Sequence, residues 1–277
     1  MGKVIAIGIQ KGGVGKTFCA INLCAALAKH GKKVLLVDFD PQASSTKQLG
    51  LRDKKAFNGT MGTLYEKYRD LGKMMTEELL DPDEYMKGDF LGVKDTIIKP
   101  LYDEFDIIPG DIKLNIFEAE QATMAHREFF LQTVLEPVRD LYDFVIIDTN
   151  PSMGILMINF CAATDSVLIP VELDLGATDG LEDFIATLTR YKYQLRTKIS
   201  IEGILLTRIS DNSGLYDDLY ISELKNQYGS YVLDTIVPFS KPAKDAKLKG
   251  ASAVIASPTC GPTKAFMQIA ERIINNG

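Results

Sequence analysis

The chain has 277 residues, 46% of them hydrophobic and 25% charged, with 31 Lys and Arg against 37 Asp and Glu for a net charge of −6. This is the balance of a folded globular protein and excludes a disordered chain; the acidic total excludes a uniformly basic nucleic-acid coat but not local basic patches. Four cysteines, at 19, 24, 161 and 260, form no CxxC, and His30 and His126 are isolated, so neither a zinc site nor a disulfide framework is expected.

The first apolar run, Val4–Ile9, is short and ends in Gln10-Lys11-Gly12-Gly13. It lacks the length and cleavage site of a secretory leader, and no run in the chain approaches the roughly 18 apolar residues of a membrane span. A cytoplasmic protein is expected. Lys11-Gly12-Gly13-Val14-Gly15-Lys16-Thr17 follows, between the first predicted strand and a helix whose stripe is Ala20, Leu23, Cys24, Leu27 and Ala28, closed by Gly31. Glycines in such a loop let backbone N–H groups turn around phosphate oxygens, and the helix start adds positive potential. Lys16 is placed for the β- and γ-phosphates of a nucleotide, and Thr17 for Mg²⁺. Gln10 stands where the strict GxxxxGK[ST] pattern has glycine.

Val34–Val37 reads as the next buried strand and ends in Asp38-Phe39-Asp40, two carboxylates at a strand's carboxyl edge, where ligands bind in open α/β sheets. Residues 52–99 break the rhythm with paired acids (Glu77-Glu78, Asp81, Asp83-Glu84) and turn residues, and read as a solvated surface helical insertion. Further strand-like runs are Phe105–Ile108, Phe144–Ile147 (leading into Asp148), Val167–Val171, Ile201–Leu206 and Val232–Val237. Most are continuous in Val and Ile, as strands covered on both faces are. Two basic clusters stand out: Arg190, Lys192, Arg196 and Lys198, with no acid among them, and Lys241, Lys244, Lys247 and Lys249, with only Asp245. The last segment carries Phe266, Ile269, Ala270, Ile273 and Ile274 on one helical face and is expected to pack on the core. Strand–helix alternation to the end predicts one α/β domain over residues 1–277, a twisted, mainly parallel sheet with helices on both faces.

The second lysine of the loop, Lys11, makes it resemble the deviant Walker A motif, KGGxGK[ST], of a superfamily of P-loop ATPases. Val34–Ala43 (VLLVDFDPQA) and Val145–Ser152 (VIIDTNPS) are similar to the second and third motifs of its ParA branch, and Asp106–Gly110, Gly203–Arg208 and Ile236–Pro238 to later strand ends. The resemblance implies an ATPase using ATP and Mg²⁺, with Lys11–Phe18 around the phosphates and Lys11 reaching the nucleotide of a partner subunit. It implies that Asp40 orients the attacking water, that Thr17, Asp38, Asp40 and Asp148 surround the metal, and that Thr207, Arg208, Pro238 and Phe239 lie where the base is held. Its partners would be a second copy in an ATP-dependent homodimer, nonspecific double-stranded DNA on the nucleoid through the two basic clusters, and a ParB-like protein that stimulates hydrolysis. Asn150, Phe18 and Ile9 depart from the family's usual residues without removing a phosphate or Mg²⁺ ligand. A switch positioning a non-DNA cargo and a MinD-like membrane-associated regulator are the alternatives; no basic tail helix supports the latter.

Overall fold

The computed structural model describes residues 1–53, 57–78, 89–120, 126–150, 154–172, 177–209 and 215–276. Strand β1 (Lys3–Ile7) shows why the strands read as unbroken apolar runs. Val4 and Ala6 enter one core cluster, Ile5 and Ile7 the cluster on the opposite face. Both parities of a strand sandwiched between helical layers are buried, so alternation disappears. The same holds for β2 (Val34–Phe39), β4 (Phe144–Thr149) and β5 (Ser166–Glu172).

With β3 (Asp106–Ile108), β6 (Ser200–Ile209) and β7 (Val237–Pro238) these form a seven-stranded sheet in the order β3-β2-β4-β1-β5-β6-β7. Every pairing in it is parallel. One face is covered by helix α1 (Lys16–Lys29) and the helix Gly261–Asn276, whose Phe266, Ile269, Ala270 and Ile273 are buried against it. Of the expected stripe of α1, Ala20, Leu23, Cys24 and Leu27 are buried and Ala28 partly so, but burial is continuous from Cys19 to Leu27, and Gly31 follows the helix at φ +77°. The other face carries helices Ile155–Ala163, Ala177–Leu195 and Leu215–Tyr228.

Two expectations change. The run Val232–Val237 is not one strand. Val232 makes a single bridge to Ile204, Leu233 donates its N–H to the Ile204 carbonyl (2.9 Å), and only Val237–Pro238 pair with β6. The side chain of Leu233 occupies the space a Cβ on Gly203 would need, 2.5 Å away, which seats the chain on β6 at that point before the polar pair Asp234-Thr235 leaves it.

The region 52–99 is also not simply a solvated face. Helix α2 (Met61–Glu78) buries Met61, Leu64, Tyr65, Tyr68 and Leu71, an apolar stripe of helical spacing hidden among charges in the sequence. Asp81, Asp83 and Glu84 lie outside the described residues. Phe130 is the hub of this packing, with ring centroids 5.4 Å from Tyr68 and Phe117, 5.7 Å from Tyr65 and 6.3 Å from Phe39 of β2. Phe130→Ala is therefore expected to cost about 3–5 kcal/mol of stability by opening a cavity that four rings line. Urea unfolding measures it; a loss below about 1 kcal/mol would show that the helical layer re-closes without this ring.

Candidate functional site

All seven strands are parallel, so their carboxyl ends share one edge, and the motif residues collect there. The loop after β1 turns at Gly13 (φ +82°) and Gly15 (φ +90°), conformations that favour glycine. A Cβ at Gly12, Gly13 or Gly15 would meet no atom within 4 Å, so the concave side of the loop is open. Helix α1 starts without a side-chain cap, leaving its first N–H groups directed at the same space. Lys16 is only 7% exposed and folds back to donate to the Lys11 carbonyl at 2.8 Å. Burial lowers its pKa, opposed by the charges of Asp148 and Asp40. A buried cation is thus held between a phosphate cradle and two carboxylates.

Asp38 and Asp148 are register partners on adjacent strands β2 and β4, and both are fully buried. Oδ2 of Asp38 accepts from the Thr46 N–H (2.8 Å) and Oγ1 (2.6 Å), while Oδ2 of Asp148 accepts from Ser45 Oγ (2.8 Å). Thr17 also hydrogen-bonds the Asp148 carboxylate. The second oxygen of each acid, Oδ1, has no hydrogen-bond partner. Burial first, and then the neighbouring Asp148 charge, push Asp38 up to about 8. Burial pushes Asp148 up to about 6, against the hydrogen bonds from Ser45 and Thr17. Orphaned buried carboxylate oxygens beside a hydroxyl suit a hard divalent cation. Among the described residues no group of three or more His, Cys, Asp or Glu side chains converges into a protein-only cage. Mg²⁺ does not need one, because it is usually held by one or two carboxylates together with waters and phosphates.

Asp40 sits two residues on from Asp38, at the cavity wall, with Oδ1 accepting from the Gln42 N–H (2.8 Å) and Oδ2 from Ser44 Oγ (3.3 Å). The cavity, about 390 Å³, is bordered by Gly12–Cys19, by Asp40 and Ser44, and by Thr207, Pro238 and Phe239. That is within the size range of small-ligand sites. Phe239 is 52% exposed, a ring at the rim on which a flat base can stack. Thr207 lines the cavity as well, and its hydroxyl bonds to the carbonyls of Val14 (3.1 Å) and Val171 (3.3 Å), tying the phosphate loop to β5. Arg208 continues β6. Asn150 follows β4, and Pro151 and Ser152 lie outside the described residues.

Sequence reasoning missed Ser45 and Thr46, and took Gly110 only as the end of a strand motif. Gly110 donates its N–H to Thr46 Oγ1 (2.9 Å), and a Cβ there would lie 2.8 Å from Cγ of Asp38. The available signal was the hydroxyl run Ser44-Ser45-Thr46 directly after the acidic motif. Of the basic residues, Arg190 and Lys192 end the helix Ala177–Leu195, Arg196 (φ +54°) and Lys198 follow, and all four are exposed. Lys241, Lys244, Lys247 and Lys249 are exposed too, but Lys244 and Lys247 border the cavity.

A family model described as "AAA domain" matches residues 2–201. The chain is 35% identical to the sporulation initiation inhibitor protein Soj of Bacillus subtilis, over 100% of both chains. It is 34% identical to the chromosome partitioning protein ParA of Myxococcus xanthus, over 92% of this chain and 86% of that one. Among solved structures, a putative plasmid partition protein from Borrelia burgdorferi bound to AMPPNP superposes with a TM-score of 0.72 at 27% identity, over 100% of both chains.

The carboxylate pair has a measurable consequence in the ligand-free protein. A carboxyl whose pKa rises on folding keeps its proton where the unfolded chain has lost it, so its contribution to stability declines as pH climbs from about 4 toward 8. Asp38→Asn keeps the acceptor for Thr46 and removes the charge. The variant is expected to gain on the order of 1–3 kcal/mol at pH 8 and little at pH 4–5. Urea unfolding at the two pH values checks this, and a gain independent of pH would contradict it.

Proposed function

The chain belongs to the Soj/ParA family of partition ATPases, and from that premise we propose that it is an ATP-dependent switch that moves plasmid or chromosomal DNA in the cytoplasm. The observation that carries this reading is the buried Lys16 suspended between the open glycine cradle and the carboxylates Asp148 and Asp40. Bound ATP with Mg²⁺ supplies the phosphoanhydride to be cleaved and a divalent charge. The loop N–H groups and Lys16 receive the phosphate oxygens, where positioning and electrostatics do most of the work of phosphoryl transfer. Thr17 and Asp148 hold the metal, with Asp38 behind them. Asp40, fixed by Gln42 and Ser44, orients the attacking water.

Lys11 reaches the nucleotide of a second copy, so two subunits close on two nucleotides across a two-fold axis. Turnover is slow until a ParB-like partner stimulates it. The helix Gly261–Asn276 buries its apolar face in the core cluster it shares with α1, so that face is not offered to a lipid surface.

Sedimentation with ATP and Mg²⁺ separates the assigned roles. Lys16→Ala is expected to lose ATP affinity by about 100-fold or more, through the loss of charged hydrogen bonds. Asp40→Ala should bind ATP and accumulate as a dimer, while Lys11→Ala should bind it as a monomer. Identical behaviour of the last two variants would refute their roles.

ATP, but not ADP, is expected to switch on DNA binding, because dimerisation joins two weak basic surfaces into one bivalent one. With about four to six phosphates neutralised, log affinity should fall with log salt at a slope of roughly −4 to −5. Charge reversal at Lys192 with Lys198, or at Lys241 with Lys249, should weaken every duplex alike. An ATP-dependent dimer that ignores DNA even at low salt would transfer the reading to a non-DNA cargo.

A further inference from the structure

The second basic cluster does not form one outward surface. Helix Lys241–Ala246 buries Ala243 and Ala246 in a small cluster with Ala253, against which Phe18 packs. Lys244 and Lys247 each follow one of these buried alanines in the chain and are exposed. Both border the cavity that Gly12–Phe18 and Asp40 enclose, whereas Lys241 and Lys249 do not.

This wall is braced against the phosphate-binding helix. Asn22 of α1 accepts from the N–H groups of Ala253 (2.8 Å) and Val254 (3.2 Å) and donates to the Phe18 carbonyl (2.8 Å). Ser252 donates both its N–H and its hydroxyl to the buried Asp103. Gly250 abuts the backbone of Gly50, where a Cβ would lie 3.3 Å from the Gly50 Cα. The lysines are therefore carried on a segment locked to the helix that begins with Lys16 and Thr17. Lysine side chains on a braced wall of the cavity that the glycine loop lines are placed for a polyanion.

We propose that Lys244 and Lys247 are nucleotide-binding residues, contacting the phosphate chain of ATP held by their own subunit. This rests on the reading of the cavity as an ATP site. It divides the cluster: Lys241 and Lys249 face outward for DNA, and the two lysines between them serve the nucleotide.

Titration calorimetry with ATP and Mg²⁺ tests it on the full chain. Lys244→Ala with Lys247→Ala is expected to weaken ATP binding about tenfold, as the loss of two partly solvated charge–phosphate contacts. Lys244→Arg with Lys247→Arg should restore most of it. Lys241→Ala with Lys249→Ala should leave ATP affinity within about twofold of wild type while weakening DNA. Circular dichroism and melting without nucleotide confirm that each variant is folded, and Lys247→Ala alone serves if the double variant is not. Wild-type ATP affinity in the folded Lys244/Lys247 variant would overturn the proposal. Failure of the wild type itself to bind ATP would instead overturn the proposed function.

Discussion

Two carboxylates, Asp38 and Asp148, stand side by side at full burial on adjacent parallel strands. Like charges so placed are unfavourable unless they are partly protonated, hydrogen-bonded or joined by a cation, and the site is organised around that constraint. Thr46 and Ser45 satisfy one oxygen of each acid, and Thr17 adds a hydroxyl to Asp148. Gly110 is a glycine because the Asp38 carboxylate occupies the space of a side chain there. Lys16 supplies positive charge at the same place. The oxygens left unpaired are where the ligand-free fold leaves an interaction unmade, and under the proposed function a metal–nucleotide complex would gain its binding energy there.

The helical layers hold this geometry from outside. Phe39, the last residue of β2, is buried against Phe130, so its neighbour Asp38 is set by the strand's period of two toward the opposite side, and Asp40 follows just beyond the strand. The packing of α2, which reads as surface in the sequence, thereby backs the strand that leads into both acids. On the other side of the loop, Thr207 links Val14 to Val171, and Asn22 links α1 to the segment after Ser252. The bonds from Thr207 to Val14 and between Asn22 and Ala253 join segments 193 and 231 positions apart in the chain. Among the described residues, four buried side-chain oxygens lack a hydrogen-bond partner, and two of them are Oδ1 of Asp38 and Oδ1 of Asp148.

What the sequence determined by itself is local. Continuous Val/Ile runs specify strands buried on both faces, the glycine loop and the stripe Ala20–Leu27 specify a cradle leading into a helix, and acids at strand ends specify a polar edge, because each depends only on backbone period and neighbouring residues. The tertiary structure decided the rest. The pairing of Asp38 with Asp148, the need for glycine at 110, the place of α2 in the core and the division of the lysine cluster all depend on which distant segments meet. Crossover connections between parallel strands bring residues 38, 110 and 148 together, and no periodicity of the chain encodes such a meeting. A lysine on an exposed short helix looks the same in sequence whether it faces solvent or a cavity; only the packing of Ala243 and Ala246 beneath it orients it.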